Sequence, residues 1–140
     1  MSVIVRTISK LNAALYRASG GRLGATVRGA PVLLLTTIGR RTGKPRTAPL
    51  LYLEDGDDLA VVASYGGSPT HPIWFQNLLA NPDAEVEIGR ERRRVRARVA
   101  EPAERARLWA LLAGMYPPYQ DYQRKTTREI PVVILASRSI

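Results

Sequence analysis

Arg40, Arg41, Lys44 and Arg46 put four cations into seven residues, set around Gly39 and Gly43 and flanked by apolar runs at 32–38 and 48–53. The two runs read as strands, so the link between them is a turn able to present side-chain cations and free backbone N–H groups to one ligand. A phosphate or carboxylate suits such a cradle; a solvated basic turn with no ligand is the alternative that spacing leaves open. A second cluster lies far along the chain, where Tyr116, Tyr119 and Tyr122 place three of the six tyrosines at three-residue intervals. A short helix from Pro118 would set Tyr119 and Tyr122 on adjacent parts of one face. With an ordinary pKa of about 10, a phenol stays protonated at neutral pH and can donate a hydrogen bond or a proton while its ring packs on a flat ligand. Packing at the edge of a core is the plainer alternative.

Other chemistry is sparse. The absence of Cys removes disulfides, thiol nucleophiles and zinc-thiolate sites, and one His, His71, leaves little for a metal, so no metal is expected. His71 precedes a helix start and reads as a polar end-group rather than a base. Asp55, Asp57 and Asp58 surround Gly56 in a loop too short for the ordered ligand spacing of a calcium site, and read as turn formers.

Charge is unevenly placed. Residues 1–53 carry nine Lys or Arg and no Asp or Glu, whereas residues 54–140 carry twelve of each sign, so the whole net charge of +9 lies in the first part. Such asymmetry points to an anionic ligand, nucleic acid or an anionic membrane surface. At 140 residues, 45% hydrophobic and 24% charged, the composition is that of an ordinary globular chain. The apolar runs are shorter than the roughly 20 residues of a membrane span and the N-terminus lacks a signal-peptide core, so a cytoplasmic location is expected.

The elements that must position these clusters follow from periodicity. Ile4, Ile8, Leu11 and Leu15 predict a basic amphipathic helix over 3–18, docked on its own domain or in peripheral contact with a membrane. Gly20, Gly21 and Gly24 then form a joint, which divides the chain at 1–30 and 31–140. Pro72 opens a short helix with Trp74, Phe75, Leu78 and Leu79 as its core face, ended by Asn81-Pro82. Glu85 and Glu87 on one strand and Arg92, Arg94, Arg96 and Arg98 on the next fall on single faces at period two, and predict a cross-strand charge ladder on the wet side of a sheet. No aromatics are interleaved there to stack bases, which argues against single-strand nucleic acid. Pro102 opens a longer helix with Leu108, Leu111, Leu112 and Met115 as its stripe, and an apolar strand over 130–136 closes the chain. About six strands joined mainly by hairpins, with a few helices, predict an α+β, mostly antiparallel small barrel.

Four segments, taken in order, carry a resemblance: Leu35 to Arg46, Ala63-Ser64-Tyr65-Gly66-Gly67, Pro72 to Leu78 with Asn81-Pro82, and Met115 to Tyr122. Together they resemble the deazaflavin-dependent nitroreductase family from about residue 31 to 135. The resemblance implies a split β-barrel similar to flavin reductases that binds the deazaflavin coenzyme F420. It gives Arg40, Arg41, Thr42 and Arg46 the coenzyme's phosphate and acidic tail, and sets Thr47, Ala48, Pro49 and Leu50 alongside the deazaflavin. Ala63, Ser64, Trp74 and Asn77 would complete the cleft, while Tyr116, Tyr119 and Tyr122 would border ring and substrate, Tyr119 as the direct contact or proton donor. The implied reaction is hydride transfer to a small-molecule acceptor, a quinone, an activated enone or a nitroaromatic, with no nucleic-acid partner. At Tyr65 the chain departs from a well-known nitroreductase of that family, whose loop reads Ser-Lys-Gly-Gly. A deazaflavin- or lipid-binding protein of the same fold without turnover, and a basic nucleic-acid or membrane module, remain the alternative functions; oligomeric state is open.

Overall fold

A computed structural model describes residues 16–19, 26–27 and 29–138. Eight strands run β1 (Thr26–Val27), β2 (Ala30–Ile38), β3 (Pro45–Leu51), β4 (Leu53–Asp55), β5 (Asp58–Val62), β6 (Asp83–Ile88), β7 (Glu91–Val99) and β8 (Val132–Ser137). Helix α1 (Ile73–Ala80) lies between β5 and β6, and α2 (Pro102–Met115) and α3 (Pro118–Arg124) lie between β7 and β8. The extra strands relative to expectation are β1 and β4, both too short to show a period.

All described pairings are antiparallel, in the order β2-β6-β7-β8-β5-β4, with β3 returning to β2. Only Tyr52 separates β3 from β4. Residues 45–55 are therefore one bent segment that pairs β2 with its first half and β5 with its second, closing the sheet into a barrel with α1 inserted after β5. Pro45 and Pro49 lack an N–H and tolerate only positions that need none toward the partner. The register meets this: the Tyr52 N–H bonds the Pro31 carbonyl at 3.1 Å, and by alternation Arg46, Ala48 and Leu50 also turn their backbone groups toward β2. Pro45, Thr47, Pro49 and Leu51 turn theirs outward.

Alternation along the strands explains why the apolar runs are continuous rather than period two. Leu33, Leu35, Leu59, Val61, Val133 and Leu135 point into the barrel with Trp74, Phe75 and Leu78 of α1. Their neighbours Ala60, Val62, Val132 and Ile134 point outward and are covered by Leu108 and Leu112 of α2 and Tyr119 of α3. A third small cluster joins Val32 and Leu34 to Tyr16. Two members of the expected core faces lie outside: Leu79 is 63% exposed and Leu111 50%. Each helix is rotated on its axis relative to expectation, α1 because buried Asn77 faces β2, and α2 because Trp109 turns toward α3 and hydrogen-bonds Gln120 at 3.2 Å.

The charge ladder forms. Asp83, Glu85 and Glu87 stand directly opposite Arg96, Arg94 and Arg92, with ion pairs from Arg96 to Asp83 (3.2 Å) and from Arg92 to Glu87 (3.4 Å), while Arg98 reaches Glu104 on α2 (2.7 Å). Its face is not wet throughout. Glu87 is 9% exposed because Arg17 pairs with it at 2.9 Å, and Tyr16 beside it accepts the Gly89 N–H at 2.7 Å. Residues 16–18 are helical, with Tyr16 buried against the barrel and Arg17 and Ala18 exposed. The rest of the helix expected over 3–18, and the glycine joint after it, lie outside the described residues.

Candidate active site

The basic turn is built by its glycines and held from below. Gly39 and Gly43 close it with two backbone bonds of 2.8 Å, and a Cβ on Gly39 would stand 2.8 Å from Thr42 Oγ1. Asn77 reaches up from α1, where it is 1% exposed, to accept the Arg40 N–H at 3.1 Å with Oδ1 and to donate to Thr37 Oγ1 at 3.1 Å with its amide nitrogen. Gln76 accepts from the Arg40 guanidinium at 2.6 Å. Arg40 is thus anchored at both backbone and side chain, and none of Arg40, Arg41, Lys44 and Arg46 meets a carboxylate within ion-pair distance among the described residues. The charge asymmetry explains this, since no acid lies within the first 53 residues.

From the turn a cleft of about 950 Å³ runs along β3 to the tyrosines. Its volume is at the upper end of small-molecule sites. Arg40, Arg41, Thr42 and Arg46 line one end, and Thr47, Ala48, Pro49 and Leu50 form its floor. Ser64, Trp74 and Asn77 line one side, and Tyr116, Tyr119 and Tyr122 form the far end. The structure brings all of the expected site residues to one cleft except Ala63, which is fully buried in the barrel core. Lys44 lies outside it. Tyr65, Gly66 and Ile73 also line the cleft; of these only Tyr65 had a signal, its departure from the resembled motif.

The tyrosine wall is made by helix spacing after Pro117-Pro118. Tyr116 and Tyr119 rings stack edge to face at 5.0 Å, and Tyr116 and Tyr122 hydroxyls lie 3.4 Å apart. Tyr119 is 5% exposed, and burial, reinforced by Tyr116 and Tyr122, pushes its phenol well above the ordinary value. Its hydroxyl has no hydrogen-bond partner among the described residues, yet no buried polar side-chain atom there lacks one. The hydroxyl is therefore not fully buried, on a residue that lines the cleft. A phenol that stays protonated and keeps an unsatisfied hydroxyl at the cleft wall is able to donate a hydrogen bond.

His71 does not face this space as a base. Its Nδ1 lies 3.1 Å from an Arg128 nitrogen, which fixes it as the acceptor, and burial together with the Arg128 charge lowers its pKa from 6.5. The Asp55–Asp58 pair closes a hairpin with Gly56 at φ +62°, as a turn and not a metal site.

A closed antiparallel barrel with flanking helices, a basic turn at one end of its cleft and tyrosines at the other, is a split β-barrel. A family model described as F420H(2)-dependent quinone reductase matches residues 8–137, and the chain belongs to that family, whose cofactor is coenzyme F420. It is 44% identical over 133 residues to an F420H(2)-dependent quinone reductase of Mycobacterium tuberculosis, covering 92% of this chain and 89% of the relative. Among solved structures, an F420-H2 dependent reductase is 44% identical with a TM-score of 0.70, over 75% of this chain and 93% of that one. Another, described as a domain-swapped dimer, is 38% identical with a TM-score of 0.71, over 89% and 96%.

Proposed function

We propose that this chain reduces quinones with reduced coenzyme F420, and that the coenzyme lies along β3 with its acidic tail on the basic turn and its ring toward the tyrosines. The observation that carries this reading is one cleft lined by Arg41 and Arg46 of the basic turn and by all three clustered tyrosines. The residues fit the group. Arg41 and Arg46 line the cleft without carboxylate partners, as a polyanionic tail requires, and the outward backbone of Thr47 and Leu51 offers N–H and C=O groups to the edge of a flat heterocycle. Arg40 is held in place by Asn77 and Gln76, both neutral, and keeps its charge for the same tail.

When bound, the reduced deazaflavin supplies a hydride. The protein's part is to hold the acceptor face to face with it, exclude water and stabilise the oxygen on which negative charge develops. Tyr119 is suited to stabilisation: with its pKa raised, the phenol donates a hydrogen bond without giving its proton away, and the proton that completes a hydroquinone reaches the oxygen from water or a neighbouring phenol. Activated enones and nitroaromatics present a similar electron-poor plane and fall within the same acceptor class. Tyr16 and Arg17 bond Gly89 and Glu87 on the barrel; peripheral membrane contact through the N-terminal helix belongs to this reading as a secondary proposal.

The test is a titration of coenzyme fluorescence followed by anaerobic oxidation of the reduced coenzyme by a soluble quinone. Saturable binding at low micromolar coenzyme, much weaker binding of flavin mononucleotide and quinone-dependent oxidation are expected. Saturable binding without oxidation by any quinone, enone or nitro acceptor would leave a binding protein, and equal affinity for the flavin would remove the coenzyme assignment.

A further inference from the structure

Tyr65, Gly66 and Gly67 follow Ser64 with φ of +48°, +64° and +81°, three successive left-handed residues of which the first is a tyrosine. A bulky side chain rarely adopts this conformation, and it persists only where the surroundings hold it. Two backbone bonds close the run, from Gly67 N–H to the Ser64 carbonyl at 3.0 Å and from Ser68 N–H to the Tyr65 carbonyl at 3.1 Å. One side chain from 60 residues away then takes both ends: Arg128 donates from Nε to the Ser68 carbonyl at 2.9 Å and from Nη2 to the Ser64 carbonyl at 2.8 Å. Its Nη1 reaches the Ala63 carbonyl at 3.2 Å and His71 Nδ1 at 3.1 Å.

A part-buried guanidinium with no carboxylate in ion-pair distance among the described residues makes an expensive fastener, because the charge loses hydration without a counter-ion. Four bonds in a rigid planar fork are what it gains, and an ammonium could not span the same carbonyls. Ser64, Tyr65 and Gly66 all line the cleft. We propose that Arg128 is a positioning residue: it fixes the Ser64–Gly66 wall, and with it the Tyr65 phenol, in the geometry that receives the electron acceptor. This rests on the coenzyme and acceptor reading of the cleft.

The test compares wild type with Arg128→Ala and Arg128→Lys in two independent measurements. The first is amide hydrogen exchange on the ligand-free protein. In Arg128→Ala the Gly67 and Ser68 amides are expected to exchange at least tenfold faster, while the Gly39 and Gly43 amides of the basic turn keep their rates. The second is steady-state quinone reduction, with the coenzyme dissociation constant measured separately. KM for the quinone is expected to rise about tenfold in Arg128→Ala with coenzyme affinity changed less than threefold, millimolar ethylguanidinium is expected to recover most of the loss, and Arg128→Lys to recover less. Unchanged exchange at Gly67 and Ser68, equal acceleration everywhere, failure of both variants to fold, or fast loop exchange with an unchanged KM would each overturn the proposal. If wild type itself oxidises no reduced coenzyme, the functional reading fails, and the exchange result still decides whether Arg128 holds the loop.

Discussion

The proposed function gives single side chains at the two ends of the cleft separable roles, and single substitutions read them apart. Tyr119→Phe keeps the ring packed against Tyr116 at 5.0 Å and removes only the hydroxyl. Coenzyme affinity should hold while single-turnover hydride transfer to a quinone falls about 100-fold, the scale of losing one preorganised donor; an unchanged rate would make the phenol wall and nothing more. At the other end, Arg46→Glu should weaken coenzyme binding by at least about 1.5 kcal/mol, the scale of a charged hydrogen bond, and flatten its dependence on salt. Arg94→Ala, in the ladder opposite Glu85, should do neither in the same fluorescence titration. Residue types and spacing marked both clusters, which the structure brings to one cleft, because clustered cations and clustered phenols stand out in a chain otherwise poor in reactive side chains. They could not foretell Asn77 as the support of the turn or Arg128 as the support of a loop, since each acts on residues some 40 to 60 positions distant.

Elements place these residues through a few tight contacts. Gly67 has φ +81° and would carry a Cβ 2.7 Å from the Tyr122 carbonyl, so the loop after β5 lies directly on α3. Gly67→Ala should lower the melting temperature and separate the two walls; Gly114→Ala, in α2 with no atom within 4 Å of a new Cβ, should raise stability by about 0.5 to 1 kcal/mol. Thermal melts of the pair would show whether the sign differs. The start of α2 gives a dependence on pH. Glu104 is held at about 2, from 4.5, first by the hydrogen bond from Arg98 and then by the Glu101 N–H of the capping box. A carboxylate lowered in the folded state contributes stability that is present above about pH 4.5 and is lost as pH falls toward 2. The gap in melting temperature between wild type and Glu104→Gln should therefore close over that window, and a gap independent of pH would count against the box. Helix starts were legible in Pro72, Pro102 and Pro118; the rotation of α1 and α2 was not, because a short amphipathic pattern cannot say which of two adjacent apolar residues meets the barrel.

At the scale of the molecule the order of strands, not their identity, carried the information missing from the chain. Six strands and their antiparallel sense follow from hairpin-length links and apolar runs, but closure depends on β3 and β4 acting as one bent segment, and no local pattern marks Tyr52 as the bend. Among the described residues β3 pairs with β2 alone, and its outward edge lies open along the cleft. An open strand edge is ordinarily a template for another chain, the first step toward intermolecular sheet and precipitation. Here Pro45 and Pro49 remove two of the outward donors that such templating needs, which hinders extension of this edge by a second polypeptide. On that argument the two prolines would also act as gatekeepers of colloidal stability. Pro49→Val should preserve the register with β2 while increasing light scattering during prolonged incubation at high protein concentration, and coenzyme bound over the edge should suppress that increase.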